Sequence, residues 1–192
     1  MRDSKMRVMK TTRSKFTTRE DGNQFIIEGY FAVFNSIYEM GYGMSESIAP
    51  GAFTKTLSND VRALTNHDTT LVLGRKKVHT LELREDAHGL WGKIIINPKD
   101  SDAVNLYERV KRGDVDQCSF GFNIVDEYPE YRDNESIHWT ITEVDLHEVS
   151  VCTFPAYEET AVSARAHDLE EIKKRRDEKW RSDMRNKLKG VI

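Results

Sequence analysis

Apolar and polar residues alternate along several segments of the chain, and this two-residue period predicts half-buried β-strands. The alternation runs over 25–33 and 78–83, and further strand signals lie over 90–96, 115–125 and 137–153. Of these, 78–83 and 90–96 flank the sequence Asp86-Ala87-His88-Gly89, which is typical of a turn. The two segments therefore predict a β-hairpin.

Residues 100–112 follow a period of 3.6 residues instead and predict the best-defined helix of the chain. The positions that share this period are Val104, Tyr107, Val110 and Lys111. Asp100 or Ser101 can cap the first turn, and Gly113 can end the helix. A short helical turn is expected over 52–57, after Pro50-Gly51. Strands outnumber helices, so the pattern favours a mainly β fold with peripheral helices (α+β), a small β-barrel or strongly bent sheet, over a βαβ fold.

The two ends of the chain differ from its middle and suggest a division into 1–20, 21–166 and 167–192. Residues 1–20 carry seven Lys and Arg against two acidic residues, a net charge of +5. Residues 167–192 carry nine against six, a net charge of +3, on a predicted helix with a narrow apolar stripe. The stripe consists of Leu169, Ile172, Trp180, Met184, Leu188 and Val191. We expect basic extensions around one central domain, and these extensions are either solvated or docked on a partner.

Charge and composition narrow the classes of function. The overall net charge of −3 leaves −11 on residues 21–166, and an acidic body disfavours binding to nucleic acid. The chain has no apolar run of membrane-spanning length and no apolar core of a secretory signal. Two cysteines, Cys118 and Cys152, are too few for a disulfide framework. We expect an intracellular protein without membrane or nucleic-acid partners.

Strand parity singles out a serine within the segment 115–125. If this segment is extended, Cys118, Phe120 and Phe122 share one face and Ser119 lies on the other. The aromatic face belongs in the core, so Cys118 is expected to be buried and Ser119 is the better candidate nucleophile. Gly121 would leave space beside Ser119 for a substrate backbone. On spacing alone, Ser119 could equally be an ordinary strand serine.

Two further clusters contain groups that could activate a serine. One is Leu64-Thr65-Asn66-His67-Asp68, and the other is Asp145-Leu146-His147-Glu148-Val149-Ser150. In the second cluster the apolar and polar faces exchange near 147–148, which predicts a β-bulge that re-aims either His147 or Glu148. The chain order of histidine, serine and acid does not exclude a catalytic triad, because the same geometry arises from different orders.

Metal and nucleotide chemistry find no support in the sequence. The histidines are scattered and lack the spacings typical of zinc sites. There is neither a Walker loop nor a G-x-G-x-x-G sequence. We expect no metal and no cofactor.

The motifs together resemble the tailed-phage prohead proteases, the capsid-maturation serine proteases related in fold to the herpesvirus assemblins. The resemblance covers about residues 25–164. The segments that carry it, in chain order, are Gly29 to Asn35, Ile48 to Phe53, His67-Asp68 with Gly74, Glu85-Asp86 with Gly89-Leu90, Ser119 to Phe122, Leu146 to Val151 and Phe154-Pro155-Ala156. Each segment is weak alone, but their order and spacing are specific.

The resemblance implies a serine endopeptidase with Ser119 as nucleophile and His67 as general base. The Glu-Val-Ser sequence suggests Glu148 as the third member of the triad. The herpesvirus relatives use a second histidine there, so His147 stays an alternative. Arg75 and backbone amides near the active strand are candidate donors to the oxyanion.

The resemblance also implies partners and location. Such enzymes work in the host cytoplasm inside the immature capsid, or prohead, where they cleave the scaffolding segment of the major capsid protein and themselves. Self-association as a homodimer is an open alternative to a monomer. The competing hypothesis is a non-enzymatic capsid-assembly or scaffolding protein that keeps a protease-like barrel.

Overall fold

Strands dominate the fold, as the alternating pattern predicts. A computed structural model of the chain describes residues 7–11, 16–21, 24–41, 43–132, 136–154, 174 and 177–185. The strands are β1 (Arg7–Thr11), β2 (Thr17–Asp21), β3 (Gln24–Val33), β4 (Tyr38–Gly41), β5 (Met44–Ile48), β6 (Arg62–Thr65), β7 (Asp68–Arg75), β8 (Leu81–Glu85), β9 (Gly89–Ile96), β10 (Gln117–Tyr131) and β11 (Ile137–Cys152). The helical parts are α1 (Ser101–Arg112), two short 3₁₀ turns (Thr56–Ser58 and Lys76–Val78) and residues 177–185. The mainly β fold with peripheral helices is confirmed.

The strands form two sheets. One has the order β1-β10-β11-β5-β4, and β6 pairs with β11 and with β7. The other has the order β2-β3-β9-β8 and contains the predicted hairpin. The long strand β11 pairs with β10 on one side; on its other side it pairs with β5 over Ile137–Ile141 and with β6 over Glu148–Val151, both in parallel. The second half of β11 therefore lies between β10 and β6.

The main core is formed by apolar side chains of both sheets and of α1. Its largest fully buried members include Phe31, Phe53, Phe120, Phe122 and Tyr107. Burial of these apolar side chains is the main favourable contribution to the free energy of folding. A smaller cluster of Met40, Met44, Ile137 and Trp139 lies at the other end of the first sheet.

The helix α1 begins and ends where the sequence predicts. The Asp100 carboxylate accepts the backbone N–H groups of Asp102 and Ala103 at 3.0 and 3.2 Å, which satisfies donors that the first turn leaves unpaired. Gly113 ends the helix at φ 88°, a left-handed conformation that glycine adopts without a steric penalty.

Two of the predicted boundaries are shifted. The strand expected over 78–83 begins at Leu81, because residues 76–78 form a 3₁₀ turn and His79 follows with φ 58°. The helical turn expected over 52–57 is a 3₁₀ turn at Thr56–Ser58. Short 3₁₀ turns have no apolar period that would reveal them in the sequence.

Parts of both terminal segments are described. Residues 7–11 form β1, which pairs antiparallel with β10. Residues 177–185 are helical, with Trp180 and Met184 exposed; Leu169, Ile172, Leu188 and Val191 of the predicted stripe lie outside the described residues. Within the described ranges, no helix has the length and apolar character needed to cross a membrane.

Candidate active site

Two rows of side chains, one on β10 and one on β11, form the face of the sheet on which the candidate residues lie. In the antiparallel register, Gln117 is opposite Cys152, Ser119 is opposite Ser150 and Gly121 is opposite Glu148. Directly opposed residues of an antiparallel pair point to the same side, with Cα atoms about 4.5–5.5 Å apart. Ser119 therefore lies at the centre of this face, between the positions of Cys152 and Glu148.

The opposite face of the same strands belongs to the core, as parity predicts. Cys118, Phe120 and Phe122 are 1% exposed or less, and they pack in the main core together with Val149 and Val151. Cys118 is thus a buried apolar group and not a member of the site.

The predicted bulge is present and decides which residue of the second cluster faces Ser119. The register passes from Gly121 opposite Glu148 to Phe122 opposite Leu146, so His147 is the additional residue of β11. Because of this extra residue, Leu146 returns to the core while Glu148 stays on the face of Ser119.

Glu148 and His67 are in direct contact. Nδ1 of His67 lies 2.7 Å from Oε1 of Glu148, a distance at which an Nδ1–H donates to the carboxylate. The Glu148 side chain is 6% exposed and that of His67 is 22% exposed. A partly buried carboxylate on Nδ1 leaves Nε2 as the ring nitrogen that can accept a proton.

His67 reaches this position from a two-residue turn between β6 and β7. Thr65 pairs with Asp68, and the two residues between them, Asn66 and His67, have φ of 50° and 62°. Two-residue hairpin turns with positive φ at both positions favour Asn-Gly, so a histidine at the second position carries backbone strain. Strain of this kind concentrates at functional sites, where surrounding contacts enforce it.

Hydrogen bonds to β11 hold this turn in place. The N–H of Asn66 donates to the Val151 carbonyl at 3.0 Å, and the Asn66 side-chain oxygen accepts the Thr153 N–H at 2.9 Å. The N–H of His67 donates to Oγ of Ser150 at 3.2 Å. The turn is therefore fixed to the strand that carries Glu148.

Ser150 is a further residue of the site, and its role is visible only in the structure. Its hydroxyl donates to Oε2 of Glu148 at 2.6 Å while its oxygen accepts the His67 N–H, and the side chain is fully buried. It thus links the turn to the carboxylate, directly opposite Ser119. The signal in the sequence is its spacing: a residue two positions after Glu148 on a strand lies on the same face.

Cys152 lies beside the other ring nitrogen of His67. Its Sγ is 3.9 Å from Nε2, at the end of the same row. Burial raises the pKa of the Cys152 thiol to about 12, so the group is a neutral thiol at physiological pH.

Three residues that the sequence suggested for the site have other contacts in the structure. They are Gly121, Arg75 and Asp68. The space above Gly121 is filled by the Glu148 carboxylate and is not open to a substrate backbone, which corrects that interpretation: an added Cβ would clash with Oε1 and lie 3.2 Å from Cδ and Cγ. The Arg75 guanidinium binds Asp60, with Nε 2.9 and 3.0 Å from the carboxylate oxygens. The Asp68 carboxylate accepts the N–H and hydroxyl of Thr70 at 2.8 and 2.6 Å, and these hydrogen bonds lower its pKa.

The centre of the site is enclosed. Ser119 and Ser150 are both 0% exposed, although His67 keeps a partly exposed edge. Among the described residues, no group of three or more His, Cys, Asp or Glu side chains is arranged to bind a metal ion.

Two sequence comparisons match this chain to prohead proteases of phages. The sequence model of a family described as caudovirus prohead serine protease matches residues 13–175. The prohead protease of Enterobacteria phage HK97 is 36% identical over 161 residues, which covers 80% of this chain and 64% of that protein. The chain thus spans less than two thirds of that relative's length.

A solved structure extends the comparison to the fold. The bacteriophage T4 capsid assembly protease superposes with a TM-score of 0.51 at 9% identity, over 80% of this chain and 99% of that one. At this identity, the likeness shows a shared fold.

Proposed function

The chain belongs to the caudovirus prohead serine protease family, and on this basis we propose that it is a serine endopeptidase with Ser119 as nucleophile. His67 is the general base, and Glu148 is the carboxylate that orients it. The observation that carries this assignment is the 2.7 Å contact between His67 Nδ1 and Glu148 Oε1, on the face of the sheet that also holds Ser119.

The proposed chemistry follows from what a serine hydroxyl needs in order to attack a peptide carbonyl. Nε2 of His67 accepts the proton of Ser119 as the C–O bond forms, and the resulting imidazolium then protonates the leaving amine. Glu148 keeps the proton of the neutral ring on Nδ1 and stabilises the positive charge of the imidazolium. Ser150 holds the second oxygen of Glu148, so the carboxylate cannot rotate away from the ring.

Among the described residues, Cys152 is a rival nucleophile that a specific observation favours, because its sulfur is 3.9 Å from Nε2 of His67. Cysteine proteases, however, attack with a thiolate, which forms because the active site lowers the pKa of the thiol. Burial raises the pKa of Cys152 to about 12, which works against this role. Ser119 therefore remains the proposed nucleophile.

The proposed substrates are the scaffolding segment of the major capsid protein and the chain itself, with the prohead as the place of action. The names of the two relatives support this proposal: one is a prohead protease and the other a capsid assembly protease. The proposed catalytic domain is 21–166, with 1–20 and 167–192 as extensions. A scaffolding protein without activity would keep the fold but would not need an activated serine.

Labelling with a fluorophosphonate, which reacts with activated serines, tests the assignment. We expect the full chain to be labelled at Ser119, Ser119→Ala to be unlabelled, and Cys152→Ala and Cys118→Ala to be labelled. A chelator should have no effect. Labelling of Ser119→Ala, or its absence from every variant, would refute the assignment; loss of labelling on chelation would indicate a metal-dependent hydrolase.

Co-expression with the major capsid protein tests the substrate. We expect fragments of the capsid protein whose masses locate a cut in its scaffolding segment, and none with Ser119→Ala. An uncut capsid protein beside a labelled Ser119 would reject the substrate while leaving the activity in place.

A further inference from the structure

The strand that carries Ser119 has only one edge that a peptide could use. β11 pairs with β10 along its whole length, from Gln117 opposite Cys152 to Tyr131 opposite Ile137. The other edge of β10 is paired with β1 over Cys118–Phe122, the stretch that surrounds Ser119. Extended peptides bind sheet edges by main-chain hydrogen bonds, so a peptide that pairs beside Ser119 needs the edge that β1 occupies.

The register places the backbone of β1 next to the proposed nucleophile. Lys10 is directly opposite Ser119, with Met9 opposite Phe120 and Thr11 opposite Cys118. Opposed Cα atoms in an antiparallel pair are about 4.5–5.5 Å apart. A peptide backbone at this distance is within reach of a serine side chain on the neighbouring strand, since reacting atoms must approach to about 3–3.5 Å.

The burial of Ser119 agrees with an edge of β10 that is occupied by β1. Ser119 has no exposed surface, whereas the side chain of its proposed base is 22% exposed. A nucleophile that has to meet a peptide bond cannot stay enclosed, so part of the surrounding chain must move before a substrate binds. Of the described strands around Ser119, β1 is the nearest to the N-terminus and pairs with β10 alone, so it can leave without breaking any other strand pair.

We propose that the outer edge of β10 over Cys118–Phe122 is the surface that binds the extended backbone of a substrate, and that β1 occupies it as an internal competitor. This inference rests on the proposed protease function. Binding of a substrate then requires β1 to leave, and the rate at which Ser119 becomes reactive depends on how firmly β1 is paired.

Proline substitutions in the full chain test this role, because proline removes a backbone N–H from a sheet ladder. Backbone N–H groups of a strand point alternately to its two sides, so either Val8→Pro or Met9→Pro must remove one that faces β10. We expect at least one of them to raise the rate of fluorophosphonate labelling at Ser119 by about tenfold or more. Val8→Ala and Met9→Ala keep the N–H groups and are the matched controls, which should show no comparable rise in the labelling rate.

A peptide with the sequence of residues 5–13 provides the reverse test. Added in excess to the faster proline variant, it should slow labelling again, and the same peptide with proline at the corresponding position should not. Circular dichroism of each variant establishes that the fold is kept.

The outcomes separate this inference from the proposed function. Labelling of Ser119 at equal rates in the proline and alanine variants would overturn the inference and leave the protease assignment intact. Loss of the fold in both proline variants would also overturn it, since a strand that must leave for binding cannot be essential to the core. An unlabelled Ser119 in every variant would refute the protease assignment and the inference with it.

Discussion

Glu148 and Gly121 face each other across β10 and β11, and the carboxylate of Glu148 fills the space that a side chain at position 121 would need. Oε1 of Glu148 is held at that place by His67, and Oε2 by Ser150. The absence of a Cβ at Gly121 is therefore a condition for the contact between carboxylate and imidazole.

Gly121→Ala should displace Glu148 and weaken the contact with His67. The added methyl group would overlap Oε1, and a buried carboxylate bound on both oxygens cannot move without losing one of these bonds. We expect labelling of Ser119 to slow by about tenfold or more, since a carboxylate that no longer orients the base can cost up to about 10⁴-fold. An unchanged rate, in a variant folded by circular dichroism, would show that the contact does not matter.

Glu148→Gln should slow the labelling of Ser119 much more than His147→Gln does. Glu148 is the residue bound to Nδ1 of His67, and an amide at this position cannot stabilise the imidazolium as a carboxylate does. His147 is the extra residue of the bulge. Asp68→Asn should be milder still, because Asp68 is exposed and bound to Thr70. Labelling rates at Ser119 measure all three. A larger loss with His147→Gln would assign the third role to the histidine.

Ser150→Ala should slow labelling by about 10- to 100-fold without abolishing it. The variant loses a hydrogen bond to a charged carboxylate, worth roughly 1.5–3 kcal/mol, and the acceptor of the His67 N–H. Ser150→Thr keeps the hydroxyl and should recover part of the rate. If both variants lose the same amount, the effect comes from packing and not from the hydrogen bonds.

His67→Gly should be more stable than His67→Ala. Both variants lose the imidazole and the bond to Glu148, so their difference isolates the backbone at φ 62°. Glycine adopts this conformation without the steric cost that alanine incurs, while its greater freedom in the unfolded chain offsets part of the gain. We expect a difference of about 0.5–1 kcal/mol in the free energy of unfolding by urea. Equal stabilities would mean that the turn carries no strain.

His138 should make the fold sensitive to mild acid. Its ring nitrogens lie 2.8 Å from the hydroxyls of Ser45 and Ser47, and burial lowers its pKa below the usual 6.5. Arg132 lowers this pKa further, while Glu130, Glu39 and Glu46 oppose the shift. The folded state therefore prefers the neutral ring, and its contribution to stability is present above about pH 6.5 and is lost as the pH falls through the folded pKa.

Urea denaturation at pH 7 and pH 5 measures this effect. The free energy of unfolding should fall less between the two values in His138→Gln than in the unmodified chain. His79→Gln, at an exposed position, should behave like the unmodified chain. An equal fall in the unmodified chain and in His138→Gln would remove His138 as a source of acid sensitivity.

Much of the fold follows from periodicity, because burial repeats every second residue on a strand and every 3.6 residues on a helix. The segments 25–33, 115–125 and 137–153 correspond to β3, the first part of β10 and β11, and α1 has the predicted bounds and caps. The 3₁₀ turn at Lys76–Val78 was missed because the alternation of Val78 with Thr80 does not distinguish a turn from a strand. Apart from the hairpin of β8 and β9, the pairing of the strands was not predicted, since it joins segments that are distant in the chain.

Parity along β10 was enough to separate Ser119 from Cys118, and the exchange of faces at 147–148 was enough to predict a bulge. Both are properties of neighbouring residues on a single strand, and the chain order alone encodes them. The contact of His67 with Glu148, the place of Ser150 between them and the filling of the space above Gly121 depend on the pairing of β6, β10 and β11. Only the tertiary structure decides these, because they depend on side chains of different strands, and His67 and Glu148 are 81 positions apart in the chain.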